Sequence, residues 1–140
     1  MHIAKNVMTE SVFSIPADST VKEAIQILLE NAISGAPVVD AEENLVGIVT
    51  EFQLLELIYE PELASASISR FMTEDVIAVS ESTLLSDVAG ILIVKRIRRV
   101  PVVRDGRVVG MVARRDLLRH VLEAGDEIIE YVRAVAEATA

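Results

Sequence analysis

The residues of this chain best suited to ligand chemistry are cations concentrated in its second half. Lys95-Arg96-Ile97-Arg98-Arg99 runs directly into Val100-Pro101, and Arg107, Arg114 and Arg115 follow. A guanidinium group can hold a phosphate through two parallel N–H groups, so these arginines could bind a phosphorylated ligand. The alternative is a solvated positive surface that pairs with the acidic part of the chain.

Residue types typical of catalytic and metal centres are scarce. The chain has no cysteine and only two histidines, His2 and His120, far apart in the sequence. That spacing gives neither a nucleophile–base pair nor a set of metal ligands. The phosphate-binding pattern G-x-x-x-x-G-K-[ST] and the dinucleotide pattern G-x-G-x-x-G are both absent from the sequence. We therefore expect no enzyme activity, no metal site and no required cofactor.

The total charge hides an uneven distribution. The chain has 22 acidic and 13 basic residues, a net charge of −9, and five aromatic residues, which argues against a nucleic-acid partner. Nine of the 13 cations lie within residues 61–118, which carry net +2, whereas residues 1–60 carry net −8. This asymmetry favours the second half as the place for an anionic ligand.

Length and hydropathy describe a folded protein. A chain of 140 residues that is 51% apolar suits one domain or a pair of small repeats and is too apolar to stay disordered. The longest apolar stretch ends where Lys95 follows Val94, too early for a membrane span, and no signal-peptide core follows Met1. We expect a cytoplasmic location.

The chain contains two copies of one unit. Three segments of the first copy recur in the same order in the second: Val7–Glu10 as Phe71–Glu74, Pro37–Val39 as Pro101–Val103, and Val46–Val49 as Val109–Val112. The offset is 64 residues for the first two and one less for the third. Such ordered matches indicate a tandem duplication.

Each copy predicts the element order β-α-β-β-α. Apolar residues recur at helical spacing in both copies: Val21, Ala24, Ile25, Leu28 and Leu29, then Leu85, Val88, Ala89, Leu92 and Ile93. Strands are predicted over Pro37–Val39 with Leu45–Val49, and over Pro101–Val103 with Val108–Val112. Asp105-Gly106 favours a type I′ hairpin turn, and second helices are predicted to begin near Glu51 and Arg114.

Neither copy can bury its apolar faces well alone, so pairing across a pseudo-two-fold axis predicts an α/β (α+β) fold. The predicted parts are a first domain over 5–60, a linker over 61–70, a second domain over 71–122 and a C-terminal amphipathic helix over 123–140. That helix has an apolar stripe formed by Ile128, Ile129, Val132, Val135 and Ala136. The stripe either covers the core of the protein or contacts a second subunit or a partner protein.

The order Met-Thr, helix, Pro-Val-Val, hairpin, Gly-hydrophobic-hydrophobic, helix resembles the CBS domain. Over roughly residues 5–122 the duplication resembles a CBS pair, or Bateman module. The resemblance implies a regulatory module that binds AMP, ADP, ATP or S-adenosylmethionine in clefts between the two domains. It also implies a homodimer and a separate regulated protein.

The family's ribose-binding pattern, Gly-h-h-Thr/Ser-x-x-Asp, is divided between the copies. The segment from Gly47 keeps the hydroxyl at Thr50 but has Gln53 for the carboxylate, whereas the segment from Gly110 keeps Asp116 but lacks the hydroxyl. The resemblance implies one stronger site on the second copy, with Asp116 on the ribose. The base would contact Val76, Ile77, Ala78, Val100 and Pro101, and phosphate would contact Arg98 or Arg99 with Arg115.

The matching residues of the first copy are Gly35, Ala36, Pro37 and Thr50, and no cation stands among them. Structural roles remain open beside these ligand roles. Thr50-x-x-Gln53 is also a capping box, and Asp116 in a first helical turn is favoured by the helix dipole.

The sequence therefore predicts a regulatory module that senses an adenosine nucleotide, mainly at the second-copy site, and signals to a partner protein. The alternative is a constitutive dimerisation or scaffold module without a small-molecule ligand, which two incomplete ribose motifs would allow.

Overall fold

The computed structural model describes residues 2–139, apart from the side chains of Asp126, Glu127, Ile128 and Val132. Six helices and six strands follow in chain order: α1 Ala4–Val7, β1 Ile15–Pro16, α2 Val21–Glu30, β2 Gly35–Val39, β3 Leu45–Thr50, α3 Glu51–Leu54, β4 Val79–Ser80, α4 Leu85–Lys95, β5 Arg99–Arg104, β6 Arg107–Ala113, α5 Arg114–Ala124 and α6 Asp126–Thr139. Short 3₁₀ helices cover Leu55–Ile58, Pro61–Ser65 and Ile68–Arg70. The predicted α/β fold class is confirmed.

The chain forms two compact units that do not follow the repeats strictly. The first-repeat unit comprises residues 11–76 and 105–108, and the second-repeat unit comprises the residues up to Glu10, 77–104 and those from Val109 onward. The predicted domain boundaries follow the sequence repeat and stay a prediction.

The first-repeat unit is a three-stranded sheet covered by α2. Strand β1 runs parallel to β2, with Ile15 beside Val38, and β2 runs antiparallel to β3. Thr20 caps α2, since its hydroxyl accepts the Glu23 N–H at 3.2 Å. Helix α2 buries Val21, Ala24 and Leu28 against the strands, and the core also includes Val38, Val49 and Ile68.

Pro37 is the third residue of β2, whereas the sequence predicted that the strand begins there. Its register partner on β3 is Ile48, whose N–H and C=O both bond to Thr73, each at 2.9 Å. The backbone groups of Ile48 therefore need no hydrogen bond from Pro37, and a residue without an N–H is tolerated inside the strand.

The second-repeat unit repeats this design with β4, β5 and β6. Strand β4 runs parallel to β5, with Val79 beside Val102. In the core of this unit, α4 packs against the sheet and α1. The buried core residues are Ala4, Val79, Val88, Leu92, Val100, Val102 and Val112. The predicted hairpin turn is confirmed, because Asp105 and Gly106 have φ of 52° and 81°, as a type I′ turn requires.

The two Met-Thr segments are exchanged between the repeats. Thr9, from the first repeat, exchanges backbone hydrogen bonds of 2.9 and 3.0 Å with Met111 on β6. Thr73, from the second repeat, does the same with Ile48 on β3. Within each unit the neighbouring methionine packs on a strand glycine, Met8 on Gly110 and Met72 on Gly47. Each unit therefore needs a segment from the other repeat to complete its sheet edge.

Some sequence expectations were too broad. Leu29 and Ile93, predicted in the apolar stripes of α2 and α4, are 68% and 73% exposed. The second helix of the first repeat begins at Glu51 as predicted, but the α-helix ends at Leu54 and continues as a 3₁₀ helix. Ile68, in the predicted linker, is fully buried in the first-repeat core.

The last helix packs within the second-repeat unit. Gly125, with φ of 60°, ends α5, and α6 follows directly. The Tyr131 ring lies 4.3 Å from the ring of His2, which also contacts His120 at 5.9 Å between centroids. In the predicted stripe, Ile129 is 47% exposed, and the side chains of Ile128 and Val132 lie outside the described residues. No helix within residues 2–139 has the length and apolar character needed to cross a bilayer.

Candidate functional site

The second-repeat site residues gather where β5 and α5 begin. Helix α4 ends at Arg96, whose left-handed backbone (φ 54°, ψ 40°) redirects the chain toward β5. The C=O of Arg98 then accepts the N–H of Arg114 at 3.0 Å. This bond joins the start of β5 to the start of α5. It therefore brings the predicted phosphate ligands Arg98, Arg99 and Arg115 into one neighbourhood. Arg98 and Arg115 are exposed, and Arg99 is half-buried.

The predicted base-contacting residues of the same unit lie on neighbouring strands. Val100 and Pro101 are buried in β5. Ile77 and Ala78 directly precede β4, and the parallel register of Val79 with Val102, continued backwards, sets Ala78 beside Pro101. Ile77 remains 37% exposed, which leaves apolar surface beside the strand. Val76 belongs to the first-repeat unit.

The Asp116 carboxylate has two partners, the residue that precedes α5 and a residue within α5. One carboxylate oxygen, Oδ2, accepts the N–H of Ala113 at 2.7 Å, and the other, Oδ1, lies 3.4 Å from Nη1 of Arg119. The side chain is only 10% exposed. Asp116 lies in the first turn of α5, where the helix dipole was expected to favour it, and its carboxylate also accepts a backbone N–H at the helix start. Each carboxylate oxygen can accept more than one hydrogen bond, so a ribose hydroxyl could still be accepted.

The equivalent residues of the first repeat share the backbone geometry but have no cation. The C=O of Ser34 accepts the N–H of Glu51 at 2.9 Å, the counterpart of the bond between Arg98 and Arg114. Gly35 is the register partner of Thr50, and Ala36 and Pro37 are buried. The backbone hydrogen bond at this position is thus present in both repeats, whereas the side chains differ.

The alternative reading of Thr50 is supported by its neighbours. Its backbone N–H donates to Oε1 of Gln53 at 2.8 Å, the reach-back bond of a capping box. The amide nitrogen of Gln53 donates to the Thr73 hydroxyl at 2.7 Å. Gln53 therefore connects α3 to the exchanged Met-Thr segment instead of replacing the missing carboxylate.

Two carboxylates away from these residues have lowered pKa values. The backbone N–H of Asn44 is the main cause for Asp40, and the Asn44 side chain, the Glu42 N–H and Arg107 lower its pKa further. The pKa of Glu81 is lowered mainly by hydrogen bonds from Arg104, at 2.6 Å from Nε and 2.9 Å from Nη2. Both groups stabilise loops. Among the described residues, no group of three or more His, Cys, Asp or Glu could hold a metal ion.

The family model for the CBS domain matches this chain twice, over residues 4–60 and 68–123. The chain belongs to the CBS domain family. The resemblance drawn from the Met-Thr and Pro-Val-Val segments is thereby confirmed.

Solved structures of CBS pairs share the fold. CBSX2 in complex with AMP is 29% identical with a TM-score of 0.80, and the match covers 89% of this chain and 98% of that one. The CBS pair of protein MJ0100, solved with 5-methylthioadenosine and S-adenosyl-L-methionine, is 30% identical with a TM-score of 0.76 and covers 89% and 97%. The uncharacterized protein MJ1225 of Methanocaldococcus jannaschii is 30% identical over 82% of this chain, which spans only 41% of MJ1225.

One residue of this CBS pair was missed by the sequence reasoning. Arg119 lies beside the carboxylate of Asp116, so it is a direct neighbour of the predicted ribose contact. The i,i+3 spacing of an acid and a base on one helix was the available signal. The ligand roles of the remaining site residues stay predictions.

Proposed function

We propose that this CBS-pair protein is a regulatory module that senses an adenosine nucleotide, chiefly through the second-repeat residues. Ligand binding would shift the population of its conformations and so its contact with a separate regulated protein, without enzyme activity of its own. We also infer a cytoplasmic location and self-association into a homodimer.

The observation that carries this proposal is the join between β5 and α5. The hydrogen bond from Arg114 to Arg98 sets three arginines, Asp116 and the apolar pair Val100-Pro101 at one end of the sheet. Phosphate needs the cations, ribose an acceptor and the base an apolar surface. The first repeat supplies the same backbone without the cations, so we place the stronger site on the second repeat.

The bound ligands of the relatives narrow the ligand class. AMP, 5-methylthioadenosine and S-adenosyl-L-methionine, present in the CBSX2 and MJ0100 structures, share an adenosine group and differ beyond the ribose. In this chain the neighbouring side chains are Arg98, Arg99 and Arg115, which attract phosphate and repel a sulfonium cation. We therefore expect AMP, ADP or ATP to bind more tightly than S-adenosylmethionine.

A scaffold without a small-molecule ligand remains the second candidate. The observation that favours it is the use of Asp116 and Gln53 as helix-start acceptors, because both groups have a structural reason to be present. Such a module would self-associate whether or not nucleotide is present.

Isothermal titration with AMP, ATP and S-adenosylmethionine tests the proposal. We expect nucleotide binding that Arg99→Ala and Asp116→Ala each weaken at least about tenfold, equivalent to about 1.4 kcal/mol. Arg133→Ala, at an exposed position on α6, is the matched control and should bind as the parent does. Unchanged affinity in both site variants would refute the assignment.

Thermal unfolding separates the two candidates. A ligand that binds only the native state stabilises it by about 2.7 kcal/mol at a hundred times its Kd, so melting should rise with nucleotide concentration. No rise at millimolar nucleotide would favour the scaffold.

A further inference from the structure

The two histidines of the chain, at positions 2 and 120, meet in the second-repeat unit. The centroid of the His2 ring is 5.9 Å from that of His120 on α5 and 4.3 Å from that of Tyr131 on α6. The backbone C=O of His2 accepts the N–H of Leu85 at 2.9 Å and the hydroxyl of Tyr131 at 3.4 Å. His2 therefore connects the N-terminal segment to the start of α4, to α5 and to α6.

Each of the two imidazoles has a buried nitrogen without a hydrogen bond. Nδ1 of His2 and Nε2 of His120 are shielded from solvent and have no partner among the described residues. A neutral imidazole needs a donor for one nitrogen and an acceptor for the other, so a buried nitrogen without a partner costs free energy. A protonated imidazole costs more, because it carries an N–H at both nitrogens and a full charge.

The charges near the two rings do not compensate a protonated imidazole. The ionisable side chains within about one helical turn of the contacts are Lys5 on α1, Asp87 on α4, Asp116, Arg119 and Glu123 on α5, and Glu130 and Arg133 on α6. Among the described side chains, which exclude those of Asp126 and Glu127, no ion pair involves His2 or His120. All but Asp116 are exposed, and the Asp116 carboxylate is already bound at the start of α5.

We propose that proton uptake by His2 and His120 releases α6 from α5 and from the N-terminal segment, so that the docking of α6 responds to pH. Histidine is the side chain whose unperturbed charge change falls between about pH 5 and 8. In the docked state a first proton creates a buried charge without an acceptor, and a second sets two cations beside each other. In the released state both rings reach water. The released state therefore binds more protons than the docked state, and its population grows as the pH falls.

The Tyr131 ring does not remove this cost. An aromatic face attracts a cation, but it does not replace an acceptor for the N–H that protonation adds. The Tyr131 hydroxyl is already engaged with the His2 C=O. The docking of α6 uses none of the proposed phosphate ligands, so failure of nucleotide binding would leave this proposal standing.

Hydrogen–deuterium exchange at about pH 7.5 and about pH 5.5 tests the release, with rates corrected for the intrinsic effect of pH. Each proton taken up can raise the population of the released state tenfold per pH unit. We therefore expect the protection factors of the α6 amides to fall at least about tenfold between the two pH values. The amides of α2, in the first-repeat unit, are the internal control and should change less than about twofold. Unchanged protection of α6, or an equal fall in α2, would overturn the proposal.

Substitutions at the two histidines identify the groups that bind the protons. The chain with both His2→Phe and His120→Phe keeps two rings that take up no proton, so α6 should keep its protection at both pH values. His120→Arg carries a permanent charge and should lower the protection of α6 at least about tenfold already at neutral pH. His120→Met, of similar length without charge, is the matched control and should resemble the parent there. If the double phenylalanine chain keeps the pH dependence of the parent, or if His120→Arg protects α6 as well as His120→Met, the histidines do not control the docking.

Discussion

Replacing Gly47 by alanine should expose how strongly the exchanged Met-Thr segment is packed. A Cβ at Gly47 would lie 2.5 Å from Sδ and 2.8 Å from Cγ of Met72, and 3.1 Å from the backbone oxygen of Thr73. Carbon and sulfur atoms in contact sit well beyond such distances, so Met72 would have to leave its place. The backbone oxygen of Thr73 cannot move away easily, because the N–H and C=O groups of Thr73 are both hydrogen-bonded to Ile48.

The size of the effect follows from overpacking. Inserting a methyl group into a well-packed site costs about 1–3 kcal/mol, and this site combines a side-chain clash with a close backbone oxygen. We expect Gly47→Ala to lower the free energy of unfolding by about 2 kcal/mol. For a chain of this length, that corresponds to a fall in melting temperature of about 4–8 °C.

Urea unfolding followed by circular dichroism measures this loss, and two variants make the result specific. Gly90→Ala is the matched control: a Cβ there meets nothing within 4 Å, and alanine in the middle of α4 should stabilise by about 0.5–1 kcal/mol. Met72→Ala removes the clashing Sδ and Cγ, so in its background Gly47→Ala should cost at least about 1 kcal/mol less. If Gly47→Ala unfolds at the parent's urea concentration, the packing described for the exchanged segment is wrong.

Three further changes test the loops and the site. Because hydrogen bonds from Arg104 lower the pKa of Glu81, the stabilisation is present at neutral pH and is lost as the pH falls through the lowered value. Glu81→Gln should therefore unfold more easily than the parent at pH 7, and in urea titrations the difference should vanish as the pH falls through the lowered pKa of Glu81. Asp116→Ala should lose about 1 kcal/mol of stability without any ligand, whereas Asp116→Asn keeps an acceptor for the Ala113 N–H and should lose less. Equal losses would contradict the reach-back role. Arg96→Gly should raise the free energy of unfolding by about 1 kcal/mol, since Arg96 holds φ of 54°. A decrease would show that the arginine side chain outweighs its backbone strain.

The parts of the fold that depend on local chemistry could be predicted from the sequence. The Asp105-Gly106 turn follows from two residues that tolerate positive φ, and both adopt it. The starts of α3 at Glu51 and of α5 at Arg114 lie where the sequence predicted the second helix of each repeat. The duplication was visible because the matching residues recur in order.

The parts that depend on distant partners could not be predicted. Nothing in the local pattern of Thr9 indicates that it bonds to Met111 and not to a strand of its own repeat. The apolar stripe of α2 reads the same at Leu28 and Leu29, yet one is 2% and the other 68% exposed, because burial depends on which element covers that face. For the candidate site, the residue types could be read from the sequence itself. That these residues lie close together was predicted only from the resemblance to the CBS family.

A comparison of the two repeats distinguishes the features required for the fold from those that could serve ligand recognition. The bond from Glu51 to Ser34 and the bond from Arg114 to Arg98 are 2.9 and 3.0 Å, so the join between strand and helix has been kept through the duplication. The glycines that receive a methionine have been kept too, at Gly47 and Gly110. Charges have not been kept: the helix that begins at Glu51 is acidic and the one that begins at Arg114 is basic. Since the conserved features are backbone and packing, a difference in function between the halves must come from the side chains that diverged. Those side chains lie at the join between strand and helix, where we propose that an anion binds, and along the helix that follows it.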